Sequence, residues 1–259
     1  MKRALLFFLL VLYLAFVSID FLTASRNMPA PWNILLKLLF VSGCVAWIHL
    51  ERRKILDPAD FDLVRVFLVF MFVTDFLLGV PAKIEGLIGD VFFVAGILSA
   101  CFGQFALIVR HSRLSIFSRT QSIRGVSLSP SKRAQIRYGS IFLLVAASVV
   151  FAGLAIRAIE SSPFAALYIL ISLTSLAAAF SYLLSKNQRR SRVLAFLGVL
   201  LLAISDTFTG FGRALVNAPS YENLIVWVTY APVLLLLGAS ILRVKPGAKG
   251  EAAAPSLAP

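Results

Sequence analysis

Eight stretches of this chain are apolar over lengths that match the thickness of a bilayer. They lie at about residues 4–22, 32–50, 63–80, 91–109, 138–156, 164–185, 193–209 and 222–243. At about 1.5 Å per residue, helices of this size cross a hydrocarbon layer of about 30 Å. Hydrophobic residues make up 59% of the chain and charged residues only 14%, against about 45–50% and about 25% in an average soluble domain. Soluble, secreted and disordered classes are therefore excluded. The expected fold class is all-α, an integral membrane bundle of eight transmembrane helices.

The first run follows Lys2 and Arg3 like a signal peptide. Its apolar stretch is too long for an h-region and no small-residue cleavage pattern follows, so it reads as a retained helix. Orientation comes from the basic residues. Counted over alternate connections and termini, 20 Lys and Arg fall on one side and 4 (Arg26, Lys83, Arg157 and Arg213) on the other, with Lys37 inside a span. The positive-inside rule then places both termini in the cytoplasm. The net charge of +13 is spread as short clusters between apolar runs, so it reports topology and not a nucleic-acid surface. The longest connection, about 110–137, is a basic cytoplasmic linker. The transmembrane domain is expected over 1–244, and the Ala- and Pro-rich tail 245–259 is expected to be disordered. Cys44 and Cys101 stand alone within apolar runs and read as small buried hydrophobes. No metal or other cofactor is expected.

Polar residues inside spans are costly, and they carry the functional information. Lys37, Asp75 and Asp206 lie in the second, third and seventh spans. With the orientation above, all three sit roughly 18–20 Å from the inner boundary, and Tyr230 of the last span falls at the same depth. Two carboxylates, an ammonium and a phenol in one layer predict a shared polar cavity in the outward half of the membrane. The competing reading is a buried ion pair that only ties helices together, and the small and polar residues after Asp206 suggest a hydrated, re-entrant end to its helix. His49 and His111 lie at cytoplasmic helix ends, in the wrong layer, and read as interfacial. HExxH, Walker A and GxSxG patterns are absent. What remains is a carboxylate pair, suited to acid–base chemistry or to a proton or cation relay.

The stretch VTDFLLGV around Asp75, followed by FFVAGILSACFGQF, then LLAISDTFTGFGR and VWVTYAPVLLLLGAS, resembles in order and spacing the YhhN-like family of membrane proteins. The resemblance covers about residues 32–243 and implies the same helix count. That family includes lysoplasmalogenases, which hydrolyse the vinyl-ether bond of lyso-ether phospholipids. The resemblance implies Asp75 and Asp206 as catalytic carboxylates, with Lys37, Tyr230 and Gln104 lining the substrate site. It implies a lipid substrate and a location in the inner (cell) membrane of a bacterium. Several positions depart from the pattern. Thr74 stands for the family Gly, Leu38 for a Pro, Gln104 for a His, Leu107 for a Tyr and Leu234 for a Gln. The segment VPAKIEGLIGD adds residues between Asp75 and Gln104, and its Asp90 is a rival for Asp75. Vinyl ethers break by protonation at carbon and capture of the oxocarbenium ion by water, which requires one acid, one base and no metal. The alternatives are a small transporter that uses the two carboxylates as a relay, and a non-catalytic lipid-binding protein with the same fold.

Overall fold

The computed structural model describes residues 2–26, 33–55, 57–79, 86–114, 163–185, 189–215 and 219–242. They form seven α-helices: α1 (Lys2–Arg26), α2 (Asn33–Leu50), α3 (Pro58–Gly79), α4 (Leu87–Leu114), α5 (Pro163–Leu183), α6 (Arg189–Leu215) and α7 (Pro219–Ser240). A single 3₁₀ turn, Arg52–Lys54, follows α2. The expected span 138–156 lies outside the described residues, as do the linker beyond Leu114 and the tail. No strand is present among the described residues; one isolated bridge pairs Ile55 with Leu242.

Among the described residues, four segments are long and apolar enough to cross a membrane: Ala4–Leu22, Asn33–Leu50, Leu87–Arg113 and Arg189–Phe208. Shorter apolar runs occur at Tyr168–Leu183 and Leu224–Ser240. α3 is 22 residues long but carries Asp60, Asp62, Arg65 and Asp75. The outward faces are those of a helical membrane protein. Phe7, Phe8, Leu10, Val11 and Leu14 of α1 are exposed, as are Phe93, Phe102 and Phe105 of α4. Water would not solvate such a surface; lipid does.

Local chemistry sets the helix ends. The Asp57 carboxylate accepts the Ala59 N–H at 2.9 Å, and Pro58 fills the first helical position, where its missing N–H costs nothing. Gly86 enters α4 at φ +85°, a conformation that L side chains rarely adopt. α5 and α7 also begin on prolines. Pro232 lies inside α7 and removes the intrahelical donor to the Val228 carbonyl. The Tyr13 hydroxyl of α1 donates to that carbonyl at 3.4 Å.

Each helix packs on the next described one in sequence, and α7 returns onto α1 and α2, closing a ring. The fully buried side chains Phe40, Phe67, Leu68, Leu107, Leu202, Leu234 and Leu237 fill its middle. Close approach of α7 to α2 depends on Gly238, where a Cβ would meet the Trp47 ring at 2.8 Å. Polar side chains gather at the two ends of this apolar core.

Candidate active site

α6 runs unbroken through Leu215, nine residues past Asp206. The re-entrant end expected after Asp206 is therefore absent; Ser205, Thr207 and Phe208 continue the helix. Asp206 points between α4 and α5 and accepts three hydrogen bonds. Tyr168 donates to Oδ1 at 2.6 Å. Ser172 and Gln104 donate to Oδ2 at 2.8 and 3.0 Å. Tyr168 and Ser172 are four residues apart on α5, so one helical face presents both hydroxyls. Gln104 is fully buried. Its amide cannot titrate, so it holds Asp206 by hydrogen bonding and carries no proton.

Asp75, on α3, accepts one hydrogen bond, from the Tyr230 hydroxyl of α7 at 3.0 Å. Thr74 beside it ties α3 to α4: its hydroxyl reaches the Phe70 carbonyl at 2.8 Å and the Gly96 carbonyl at 3.4 Å. Ser99 of α4 also donates to Phe70, at 2.9 Å. Thr74 thus makes an inter-helix link. Tyr230 lies within electrostatic reach of both Asp75 and Asp206 and of Tyr168. Both residues are partly buried.

Lys37 is buried on α2, but its ammonium pairs first with Asp20 of α1, at 2.8 Å with both side chains 8% exposed. The Asn33 amide, one turn away on α2, donates to the same Asp20 carboxylate and to the Phe16 carbonyl. The ammonium sits 4.8 Å from the centre of the Trp227 ring, and Trp227 meets Tyr230 edge-on at 4.9 Å. Lys37, Trp227, Tyr230 and Asp75 therefore form one continuous line across the bundle. Electrostatically Lys37 still acts on Asp75. Its main role is nevertheless taken: an ammonium already matched by a carboxylate is a poor holder for a phosphate.

The structure thus brings Asp75 and Tyr230 together, and separately Gln104 and Asp206, while Lys37 reaches only the first pair, through Trp227. Sequence reasoning missed Asp20, Tyr168 and Ser172. Asp20 was visible as an acid inside the first apolar run, and Tyr168 and Ser172 as two hydroxyls at helical spacing. Asp90 is exposed in the first turn of α4 and takes no part.

His49 is exposed at the end of α2, as an interfacial residue would be. His111 is not interfacial: it is fully buried and stacks on Tyr182 at 5.7 Å. Neighbouring Arg110, also fully buried, pairs with Asp60 at 3.3 Å. A second polar layer therefore closes the opposite end of the bundle. Among the described residues no group of three His, Cys, Asp or Glu could hold a metal ion. Comparison of the chain with protein-family models, curated proteins and solved structures gives no match.

Proposed function

We infer that this chain is an integral-membrane hydrolase of lyso-ether phospholipids, cleaving a vinyl-ether bond with Asp75 and Asp206 as its acid–base pair. The observation that carries the reading is the unequal setting of the two carboxylates. All three partners of Asp206 donate to it, so it presents lone pairs and no proton, as a base or an electrostatic stabiliser must. Asp75 uses only Oδ2, toward Tyr230, which leaves Oδ1 to carry a proton. In the proposed reaction Asp75 delivers that proton to the vinyl carbon distal to the ether oxygen. The resulting oxocarbenium ion forms beside the Asp206 carboxylate, which takes a proton from the water that captures it. The hemiacetal then collapses to an aldehyde and the glycerophospho-alcohol. Tyr230 donates to Asp75 and orients it. The order of the sequence motifs around Asp75, Asp206 and Tyr230, which resembles that of the YhhN-like family, is the second ground for this reading.

The reading includes eight transmembrane helices with both termini in the cytoplasm of a bacterial inner membrane, supported by the split of basic residues. It opens the site toward the outer leaflet.

The test is aldehyde release from alkenyl-glycerophospholipids by the purified protein. Asp75→Asn and Asp206→Asn keep shape and remove the titrating group, and each should lower turnover by a factor of about 10² or more. Hydrolysis at the wild-type rate by the double variant would remove both residues from the chemistry. A proton or cation relay is the second reading, favoured by buried charged groups at both ends of the bundle. Flux across liposomes without aldehyde release would establish that reading instead.

A further inference from the structure

A groove of about 400 Å³ lies between α2 and α3, at the end of the bundle remote from the Asp75 site. It is lined by Val45, Ala46, Ile48, Phe61, His49 and Arg65. The Arg52 guanidinium lies 5.9 Å from the centre of the Phe61 ring and that of Arg65 lies 5.7 Å from it. The His49 ring is 6.4 Å away. Three nitrogen-bearing side chains thus converge on one buried phenyl ring at the mouth of an apolar slot.

The charge there is not cancelled locally. Glu51 pairs with Lys54 at 2.9 Å, Asp57 with Arg113 at 3.5 Å and Asp60 with Arg110 at 3.3 Å. Asp62 lies 3.4 Å from Arg65, but both side chains are about half exposed, at 61% and 49%, so water screens that pair. Arg52 has no carboxylate partner among the described residues. The corner therefore presents net positive charge at the helix ends and an apolar trough along the helices. Val66 and Val69 of α3 extend the apolar surface at 37% and 47% exposure.

We propose that this groove is a binding site for one anionic phospholipid, whose phosphate meets Arg52 and Arg65 and whose acyl chain lies along Val45, Ala46 and Ile48. Charge complementarity chooses the lipid. A phosphatidylglycerol phosphate carries an uncompensated negative charge, whereas a choline headgroup would bring its own cation to an already cationic rim. A protein partner would have to leave the trough unfilled or insert a side chain at lipid depth. The site is independent of the hydrolase reading, because it lies at the other end of the bundle and needs neither carboxylate.

The full chain reconstituted in nanodiscs of mixed phosphatidylcholine and phosphatidylglycerol, with the retained lipid counted by native mass spectrometry, tests the proposal. Wild type should retain phosphatidylglycerol above its share of the bilayer. The double variant Arg52→Gln/Arg65→Gln should lose that enrichment by about tenfold or more, while Arg53→Gln, next in sequence and outside the groove, should keep it. Ala46→Trp fills the trough and leaves every cation in place; it should also lower retention. Bulk-like retention by wild type overturns the proposal. Equal loss from Arg53→Gln reduces the effect to general surface charge, and an unaffected Ala46→Trp removes the groove from it. Ser42→Cys crosslinking into a dimer that excludes phosphatidylglycerol would assign the face to a second copy. Each of these results refutes the site.

Discussion

Lys37 and Asp20 form a buried ion pair at the end of the bundle that also holds Asp75 and Tyr230, and its removal is the sharpest test of how that end is built. The two groups are 2.8 Å apart with side chains 8% exposed, so screening by solvent is slight. Lys37→Met deletes the ammonium and leaves the Asp20 carboxylate, which Asn33 also holds, without its cation. Breaking a buried pair in this way costs about 3–5 kcal/mol, because the remaining charge is uncompensated. Asp20→Leu should cost a similar amount, since it removes the carboxylate that faces a buried ammonium, and the Trp227 ring contact is worth about 2 kcal/mol at most. The double variant Lys37→Met/Asp20→Leu replaces both charges with apolar groups. It should cost far less than the sum, and the cycle should give a coupling of about 3 kcal/mol or more. Unfolding of the purified protein in detergent, followed by tryptophan fluorescence, measures all three, because Trp227 lies against the pair. A loss below about 1 kcal/mol for each single variant, typical of an exposed pair, would refute the geometry. Simple additivity in the double variant would refute the direct contact.

The three donors to Asp206 should separate by the charge they stabilise. Tyr168→Phe, Ser172→Ala and Gln104→Leu each remove one hydrogen bond to a carboxylate, worth about 1.5–3 kcal/mol, so each should lower turnover about 10- to 100-fold with little change in KM. Steady-state kinetics with an alkenyl-lysolipid checks this, and a variant that changes KM alone would place its residue in substrate binding. Gly238→Ala sets a methyl group 2.8 Å from the Trp47 ring and 2.9 Å from Ile48; overpacking of this kind should destabilise by about 1–3 kcal/mol, read as a lowered Tm. Cysteines placed at Lys83, Arg157 and Arg213 should react with impermeant reagents from outside intact cells, and labelling from the cytoplasm at all three would reverse the topology.

The apolar runs are sufficient to determine that this protein is helical and membrane-bound. An unpaired backbone group in hydrocarbon costs so much that a long apolar segment has almost no choice but helix. Helix starts were equally local: Asp57 with Pro58, Gly86, Pro163 and Pro219 act on the backbone within one turn. Depth along each helix was also legible, because a fixed rise per residue converts residue number into height. That is why Asp75 and Tyr230, picked for their common level, are found in contact. Height says nothing about azimuth, however. Which neighbour a polar side chain faces depends on how the helices rotate as their apolar surfaces interlock, and no single segment contains that information. Tertiary packing alone turned Lys37 toward Asp20 and away from a role as a free cation. It brought Tyr168 and Ser172 of α5 to Asp206, and buried His111 behind Arg110 where its position at a helix end suggested exposure. α6 also continues past Asp206 to Leu215, where the small and polar residues by themselves suggested an end.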